Sequence, residues 1–389
     1  MNTIQRGLIT LLKSAVTGQA FALPEGFDMT KAYAVGKRHH MSTLLYEGAV
    51  ICGVDRGLPV MQKLFQNYVR LMVISERQMV QVEKITAAFQ EAGIDHMPLK
   101  GCVMKGRYPK PELRVMGDAD ILIRPEQYDR IVPILEQLNF REKNETDHEL
   151  VWIHDDLYLE LHKRLIPSYN KDFHVYFGDS WRLGRVQNGS RYSMTPEDEM
   201  IYLFTHYAKH FRDGGIGCRH VLDLWVYLRS VPPLNEDYIR NELKKFGLLK
   251  FYLHTSELMD VWFGDAPETE MSDFLTDVVF HSGSFGLSDQ RVISRAVRDK
   301  GQSILGINSR MLYLWQTAFP SVDVLKSKYT VLKKAPWLLP VVWLVRPFYK
   351  VLFERETLEI QEKNLQALSE EGVAARRAVL HEIGLDYNF

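Results

Sequence analysis

The sequence predicts an α-rich α+β fold, in which a small mixed β-sheet core follows N-terminal helices and precedes a large C-terminal helical domain. Residues 60–92 contain neither glycine nor proline, and their apolar residues recur at helical spacing. Strand-like patterns are confined to the middle of the chain, at about 94–162. From Thr195 onward the apolar period is helical again and stays so to the end. Together these observations favour helices on both sides of a small sheet.

Length and composition limit the classes of protein to consider. At 389 residues the chain is long enough for two or three domains with a sizeable core. Its content of 46% hydrophobic and 25% charged residues excludes a largely disordered chain. Because 48 basic residues nearly balance 49 acidic ones, there is no overall attraction to nucleic acid. The three cysteines (Cys52, Cys102 and Cys218) are too far apart for a disulfide framework, which predicts a reducing, cytoplasmic setting.

The elements in the middle of the chain follow one another as strand, helix, strand, helix and two hairpin strands. Gly93 ends the long helix predicted at 60–92. A glycine-containing turn at Lys100–Gly101 follows the first strand. Pro125 opens an amphipathic helix after the second strand. The strand segments are 94–99, 117–123, 149–153 and 157–162. This order predicts a small mixed sheet covering about 90–165.

A strong helix start divides the sheet from the helices that follow it. Thr195 is a preferred N-cap residue, Pro196 suits the first helical position, and two acidic residues occupy the first turn. The preceding segment 167–193 is rich in glycine, asparagine and tyrosine, and we expect it to be a boundary loop. The predicted domains are therefore 1–92 (N-terminal helical segment), 93–194 (α/β core) and 195–389 (C-terminal helical domain).

No transmembrane segment is predicted. The most apolar stretch, 337–353, is interrupted by Pro340, Arg346, Pro347 and Lys350, and it is shorter than the roughly 20 apolar residues that a spanning helix needs. A buried C-terminal helix or hairpin is the simplest interpretation. The alternative is peripheral membrane contact, assisted by the upstream lysines Lys326, Lys328, Lys333 and Lys334.

Two aspartates mark the strand at 117–123 as a candidate site. Asp118 and Asp120 stand at alternate positions of one strand, so that they project from the same face. Two like charges side by side are destabilising unless a cation lies between them, and Mg²⁺ prefers such hard oxygen ligands. The apolar run Ile121–Ile123 anchors the strand in a core. Judged by itself, the pair has a second interpretation, as the solvated end of a strand.

Nearby residues complete a constellation that fits phosphoryl chemistry. Glu160 lies in an alternating strand that would pair into the same sheet, and it could supply the third acid of a two-metal site. Gly101 follows a strand and opens a helix, a turn that presents backbone N–H groups to phosphate. Lys100 and Arg114 add cations that can bind phosphate oxygens.

This layout resembles the DNA polymerase β-like nucleotidyltransferase superfamily. Within it, the turn Leu99–Gly101, Arg114 ahead of Asp118–Asp120, and Glu160–His162 resemble an uncharacterised nucleotidyltransferase family of bacteria, associated with polysaccharide biosynthesis. The resemblance covers roughly residues 40–350. It continues through Thr205–His210 and Arg219–Leu224, and more weakly through Gly283–Gly286 and Phe319–Pro320.

The resemblance implies Mg²⁺-dependent transfer of a nucleoside monophosphate from an NTP to an acceptor hydroxyl. Two Mg²⁺ ions would be held by Asp118, Asp120 and Glu160, while Lys100, Gly101 and Arg114 would bind the nucleotide. The acceptor stays open between a sugar, a lipid-linked saccharide, a protein and RNA. The sequence departs from the superfamily at Cys102, which stands where a serine usually binds the phosphates.

Histidines offer alternative interpretations. His206 and His210 share one helix face, and with Asp223 they could form the metal site of a phosphohydrolase, in which case the Asp118–Asp120 strand would be structural. His162 could reach substrate or metal, or be a structural residue at the sheet. A further alternative is a non-catalytic nucleotide-binding scaffold. The pair His39–His40 has no partner at metal-ligand spacing, and we expect it at the surface.

Overall fold

The computed structural model describes residues 1–155, 157–283, 288–302, 309–325, 329, 331–353 and 355–387. Of the residues singled out in the sequence, Ser284, Phe285, Gly286, Lys326 and Lys328 lie outside these ranges. Helices within the described ranges are α1 (Thr3–Thr17), α2 (Met29–Arg38), α3 (Ser42–Ile51), α4 (Pro59–Glu91), α5 (Gly101–Met104), α6 (Tyr128–Gln137), α7 (Lys171–Phe177), α8 (Pro196–Gly214), α9 (Cys218–Ser230), α10 (Glu236–Lys245), α11 (Leu249–Phe263), α12 (Glu270–Ser282), α13 (Ser288–Gln302), α14 (Ser309–Ala318), α15 (Val322–Leu325), α16 (Val331–Lys334), α17 (Leu339–Phe353), α18 (Arg355–Ala367) and α19 (Glu370–Ile383).

One mixed sheet of seven strands lies in the middle of the chain. The strands are β1 (His96–Pro98), β2 (Asp118–Ile123), β3 (Arg141–Glu145), β4 (Glu149–His154), β5 (Leu157–His162), β6 (Arg185–Asn188) and β7 (Arg191–Ser193). Their spatial order is β3-β4-β5-β2-β1-β7-β6. The central pair β2 and β5 is parallel, whereas β1 pairs with β2 in the antiparallel sense. The predicted combination of helices and a mixed sheet is confirmed.

Two predicted helix boundaries are also confirmed. The long helix predicted at 60–92 is α4, and Gly93 follows it with a φ of +63°, a conformation that costs glycine little. Thr195 caps α8 because its side chain accepts a hydrogen bond from the amide of Asp198. Pro196 occupies the first turn of that helix, as its fixed φ favours.

The prediction that residues 167–193 form an irregular loop is wrong. This segment holds α7 and the hairpin β6–β7, and β7 extends the sheet by pairing with β1. Strand β6 is exposed along its length at the sheet edge, so it lacks the apolar alternation by which a strand is recognised. The Asn188–Gly189 pair, with Gly189 at a φ of +55°, is the hairpin signal that could have identified it.

The sheet separates two apolar cores. On one face, Ala119, Ile121 and Ile123 of β2 pack with apolar residues of α4 and α6. On the other face, Leu122 belongs to the large core formed with the surrounding helices. Because strand residues alternate, Asp118 and Asp120 share the face of Leu122. The helical side of the molecule therefore covers the polar end of β2.

The prediction that His39 and His40 lie at the surface is wrong for His39, whereas His40 is exposed. Its side chain is fully buried; Nδ1 accepts a hydrogen bond from the amide of Cys218, and Nε2 lies 3.1 Å from the carbonyl oxygen of Phe280. Burial lowers the pKa of His39 to about 4, so the ring is neutral at pH 7. Contacts to residues so distant in sequence are invisible in local spacing, which explains the wrong prediction.

The apolar stretch 337–353 forms a helix, as predicted, but it is not buried. Leu344 and Phe348 of α17 are each 73% exposed, and Trp337, just before the helix, is 76% exposed. On its other side α17 packs through Val342 and Trp343 against a small apolar cluster. None of the described helices is both long enough and apolar enough to cross a bilayer.

Candidate functional site

A cavity of about 570 Å³ lies between the face of the sheet that carries Asp118 and the helices α8 and α9. Strands β2 and β5 form its floor, and the loop leading into β2 forms one wall. Residues that line it include Lys100, Asp118, Asp120, Glu160, Lys209 and Arg219. It has the size of a small-ligand site.

The register of two parallel strands assembles the floor. Asp120 of β2 stands directly opposite Glu160 of β5, and Leu122 stands opposite His162. Since alternate residues of neighbouring strands point the same way, Asp118, Asp120, Glu160 and His162 all face the cavity. The structure thus brings together the three predicted acids and one of the histidines.

Asp120 is the buried centre of this group. The ammonium nitrogen of Lys100 lies 2.6 Å from its Oδ1, and Nε2 of His162 lies 2.8 Å from the same atom. Burial by itself would raise the pKa of Asp120, but Lys100 and His162 outweigh it and hold that pKa well below its usual range. Burial by itself would lower the pKa of Lys100, but the charge of Asp120 raises it by more, so that this pKa lies above its usual value. Asp120 and Lys100 are therefore a firmly ionised pair.

Lys100 reaches Asp120 from an unusual backbone conformation. Its φ is +45°, a value that residues other than glycine, asparagine and aspartate seldom adopt because the Cβ atom then crowds the backbone. The residue lies between β1 and the short helix α5, where the chain turns sharply at the cavity wall. Strain of this kind persists when surrounding contacts impose it, and it concentrates at functional sites. The ion pair with Asp120 is one such contact.

Asp118 differs from Asp120 although only one residue separates them. Its side chain is exposed to the cavity and has no cation within hydrogen-bonding distance among the described residues. Partial enclosure, followed by repulsion from Asp120 and Glu160, raises the pKa of Asp118 to about 6. The two aspartates predicted as equivalent metal ligands therefore differ in pKa and in partners.

Two backbone amides of the turn that follows Lys100 are engaged in hydrogen bonds within the turn. The amide of Cys102 donates to the carbonyl oxygen of Leu99, and that of Val103 donates to the carbonyl oxygen of Lys100. Gly101 lies close to Met116, whose Sδ would be 3.2 Å from a Cβ at that position. Burial, then the charge of Asp120, raises the pKa of the Cys102 thiol to about 12, so it remains a neutral thiol at pH 7. The amides of Cys102 and Val103 are therefore engaged within the turn, whereas Gly101 lines the cavity.

Arg114 links the loop before β2 to helix α9. Its Nε lies 2.9 and 3.0 Å from the two carboxylate oxygens of Asp223, and the hydroxyl of Tyr108 donates to the same carboxylate at 2.8 Å. Buried Lys105 donates to the carbonyl oxygen of Arg114 at 3.0 Å and to Ser75 at 2.6 Å. Asp223 is therefore fully engaged as a support for Arg114.

His206 and His210 do not join Asp223. Their Nε2 atoms lie 3.0 Å apart, so that one neutral ring donates to the other. Burial lowers the pKa of both rings well below the usual value. In the described ranges, the compact group that could ligate a metal is Asp120, Glu160 and His162, with ligand atoms within 4.8 Å of one another. The phosphohydrolase set suggested by the sequence is not assembled.

Two cations at this site escaped the sequence analysis. Lys209 of α8 and Arg219 of α9 line the cavity opposite the carboxylates. Burial lowers the pKa of both, and Arg114 lowers the pKa of Arg219 further, to about 10. Lys209 forms no hydrogen bond or ion pair with the described residues, whereas Arg219 donates to the carbonyl oxygen of Val115. For Lys209 the sequence did contain a signal, because its helical spacing from His206 places both residues on the same face of the helix.

The donor set at the floor fits a divalent cation. Lys100 and His162 both contact Oδ1 of Asp120, which leaves Oδ2 outside the hydrogen bonds of the described residues. Asp118 and Glu160 add carboxylates whose repulsion a cation would relieve. His162 Nε2 lies 3.5 Å from Glu160 and closer to Asp120, an arrangement suited to orienting the carboxylates.

Sequence and structure comparisons give one family and one distant structural match. Residues 25–264 match a family described as uncharacterised nucleotidyltransferase. No curated protein gives a significant match. A solved structure of the antibiotic-resistance factor ANT(2'')-Ia aligns at 14% identity, covering 44% of this chain and 92% of that chain, with a TM-score of 0.33. The family match includes the whole sheet and helices α8 and α9.

We predict opposite stability changes for Asp118→Asn and Asp120→Asn in the presence of a chelator. Ionising Asp118 costs folding free energy because its pKa rises from 3.8 to about 6 on folding. This cost is absent below pH 4, develops as the pH rises through 6, and is at most about 1 kcal/mol after solvent screening. Asp118→Asn should therefore raise the melting temperature at pH 7 and leave it unchanged at pH 4.

Asp120→Asn should instead lower stability at pH 7 by on the order of 3 kcal/mol, because it leaves buried Lys100 and His162 without their anion. Thermal unfolding at both pH values measures the two effects. A lower melting temperature for Asp118→Asn at pH 7, or an unchanged one for Asp120→Asn, would contradict the assigned charge states.

Proposed function

The chain belongs to a family of uncharacterised nucleotidyltransferases, and on that premise we propose that it moves a nucleoside monophosphate from an NTP to an acceptor hydroxyl, with Mg²⁺ bound at the cavity floor. The observation that supports this most is the group Asp118, Asp120 and Glu160 on one sheet face, opposite cationic side chains of α8 and α9. Carboxylates beside unpaired cations suit a metal-bound polyphosphate.

We assign the metal ligands to the three carboxylates of the floor. Asp120 is ionised and Asp118 is largely ionised at pH 7, so that both offer anionic oxygens. Bound Mg²⁺ would neutralise charge on the attacking and leaving oxygens and on the triphosphate. His162 and Lys100 fix the orientation of Asp120 through its Oδ1. Two ions, as the family resemblance implies, are part of the proposal.

The triphosphate would lie between the floor and the helices. Lys100, Lys209 and Arg219 present positive charge to this space, and the amide of Gly101 supplies a backbone donor. Arg114 lines the same space, but its guanidinium is paired with Asp223, so it acts mainly by holding the loop before β2 against α9. Cations in a partly enclosed site stabilise the charge that develops as pyrophosphate leaves.

Glu160 is the group we assign to the acceptor. Its side chain is half-buried on the floor, opposite Asp120 and within 3.5 Å of His162. A carboxylate at this position can accept the proton of an acceptor hydroxyl while the oxygen attacks the α-phosphorus. The acceptor class stays open between a sugar, a lipid-linked saccharide, a protein and RNA.

We expect α-phosphate-labelled NTP to label one acceptor class and release pyrophosphate only when Mg²⁺ is present. Asp118→Asn and Asp120→Asn should abolish both signals, because each removes a ligand charge. The double variant His206→Gln/His210→Gln is the matched control and should retain them, since that pair lies outside the metal group.

Three results would contradict the proposal. Release of orthophosphate from the γ-position, lost in the His206→Gln/His210→Gln variant, would make the chain a phosphohydrolase. Mg²⁺-dependent nucleotide binding without transfer to any of the four acceptor classes would indicate a scaffold. Unchanged Mg·ATP binding by Asp118→Asn would remove the carboxylates from the site.

Lys100→Ala should weaken NTP affinity about tenfold to a hundredfold, the usual effect of losing a charge-assisted contact of about 1–3 kcal/mol. Lys110→Ala is the control, because Lys110 pairs with Glu47 at the surface and does not line the cavity. Calorimetric titration with a non-hydrolysable NTP measures both, after circular dichroism has verified that each variant folds. Equal affinities for the two variants would exclude Lys100 from nucleotide binding.

A further inference from the structure

Helix α17 contributes no residue to the cavity lining and exposes an apolar face. Val341, Leu344, Val345 and Phe348 follow one another at helical spacing on one side of the helix, and their exposed fractions are 53%, 73%, 56% and 73%. Trp337, just ahead of the helix, adds a side chain that is 76% exposed. Contiguous exposed apolar side chains of this size mark an interaction surface.

Helix α14, which contacts the packed side of α17, also exposes apolar side chains. Trp343 of α17 packs its ring 5.3 Å from that of Phe319, which in turn lies 4.6 Å from the ring of Trp315. Trp315 is 64% exposed and Met311 is 66% exposed. We call the exposed apolar side chains of α14 and α17, together with Trp337, the C-terminal apolar surface. It comprises exposed residues of two helices that contact one another through Phe319 and Trp343.

The sequence segment that contains α16 and α17 is basic. Between residues 324 and 353 the sequence contains six basic residues and no acidic residue, although the whole chain has a net charge of −1. The basic residues are Lys326, Lys328, Lys333, Lys334, Arg346 and Lys350. Lys334 is exposed at the end of α16, close in sequence to Trp337. Arg346 adds a described cation on α17 itself, so that Lys334 and Arg346 bring positive charge to the surface that α17 and Trp337 expose.

We propose that the C-terminal apolar surface docks onto an anionic phospholipid bilayer, with α17 lying in the plane of the interface. Apolar and aromatic side chains on one face, flanked by basic residues, are the pattern of helices that insert into the headgroup region of such membranes. A second copy of the chain is a poorer occupant. In a symmetric dimer the same patch faces itself, so that two strongly basic segments would repel one another.

Sedimentation with vesicles tests this surface. The full chain should bind vesicles of equal parts phosphatidylcholine and phosphatidylglycerol, and bind vesicles of phosphatidylcholine alone much more weakly. Leu344→Ser/Phe348→Ser should reduce binding roughly tenfold or more, because two inserted apolar side chains are lost. Val175→Ser/Val186→Ser is the matched control, since these residues are 81% and 63% exposed elsewhere on the surface; it should bind as the wild type does.

Charge is tested separately. Lys334→Gln should weaken binding to the anionic vesicles about fivefold, the effect of one basic residue near such a surface. Lys84→Gln, an exposed lysine on α4, should have no effect. Raising the salt concentration should weaken binding of the wild type because it screens the attraction. The comparison of Lys334→Gln with Lys84→Gln tests the proposal even if the double serine variant does not fold.

The proposal is overturned if the wild type does not bind anionic vesicles, or binds both kinds equally. It is also overturned if Leu344→Ser/Phe348→Ser folds and binds as tightly as Val175→Ser/Val186→Ser. Sedimentation velocity provides the remaining check: a wild-type dimer that becomes monomeric in the double serine variant would assign the surface to a second copy instead.

Discussion

The carboxylate of Asp120 is the constraint on which the site depends. It is buried at the end of a central strand, where an uncompensated charge would be very costly. Lys100 and His162 supply the compensation, and both reach the same oxygen atom. Lys100 reaches it from a backbone with a positive φ, and the parallel pairing of β2 with β5 brings His162 within hydrogen-bonding distance. Because both contacts use Oδ1, the Oδ2 atom of Asp120 is left for a ligand.

The cavity has two sides with different tasks. The sheet supplies acidic groups in fixed register, which suits ligands of a metal ion, whereas α8 and α9 supply cations such as Lys209 and Arg219. The pair Arg114–Asp223 joins the two sides through a buried, hydrogen-bonded contact. Replacing one member of such a pair is expected to disturb the spacing between the sheet and the helices as well as local charge.

The sequence predicted the elements whose pattern is local. Helix α4, strands β2 and β5, and the cap at Thr195 follow from periodicity and end signals. Alternation placed Asp118 and Asp120 on one face, and the strand of Glu160 was expected in the same sheet. Hairpin β6–β7 was missed because an exposed edge strand has no apolar alternation. The buried state of His39, the pairing of Arg114 with Asp223 and the exposure of α17 depend on contacts between distant segments. Local spacing does not contain that information, nor does it predict that the pKa values of Asp118 and Asp120 shift in opposite directions.

The central claim is that Asp118, Asp120 and Glu160 hold the metal for a nucleotide bound in the cavity. Diffraction from crystals grown with Mn²⁺ and a non-hydrolysable NTP tests it most directly, because Mn²⁺ replaces Mg²⁺ at oxygen sites and is located by its anomalous signal. We expect the Mn²⁺ signal at these carboxylates, with the triphosphate extending toward Lys209 and Arg219. An ion at His206 and His210, or a nucleotide bound outside the cavity, would contradict the account.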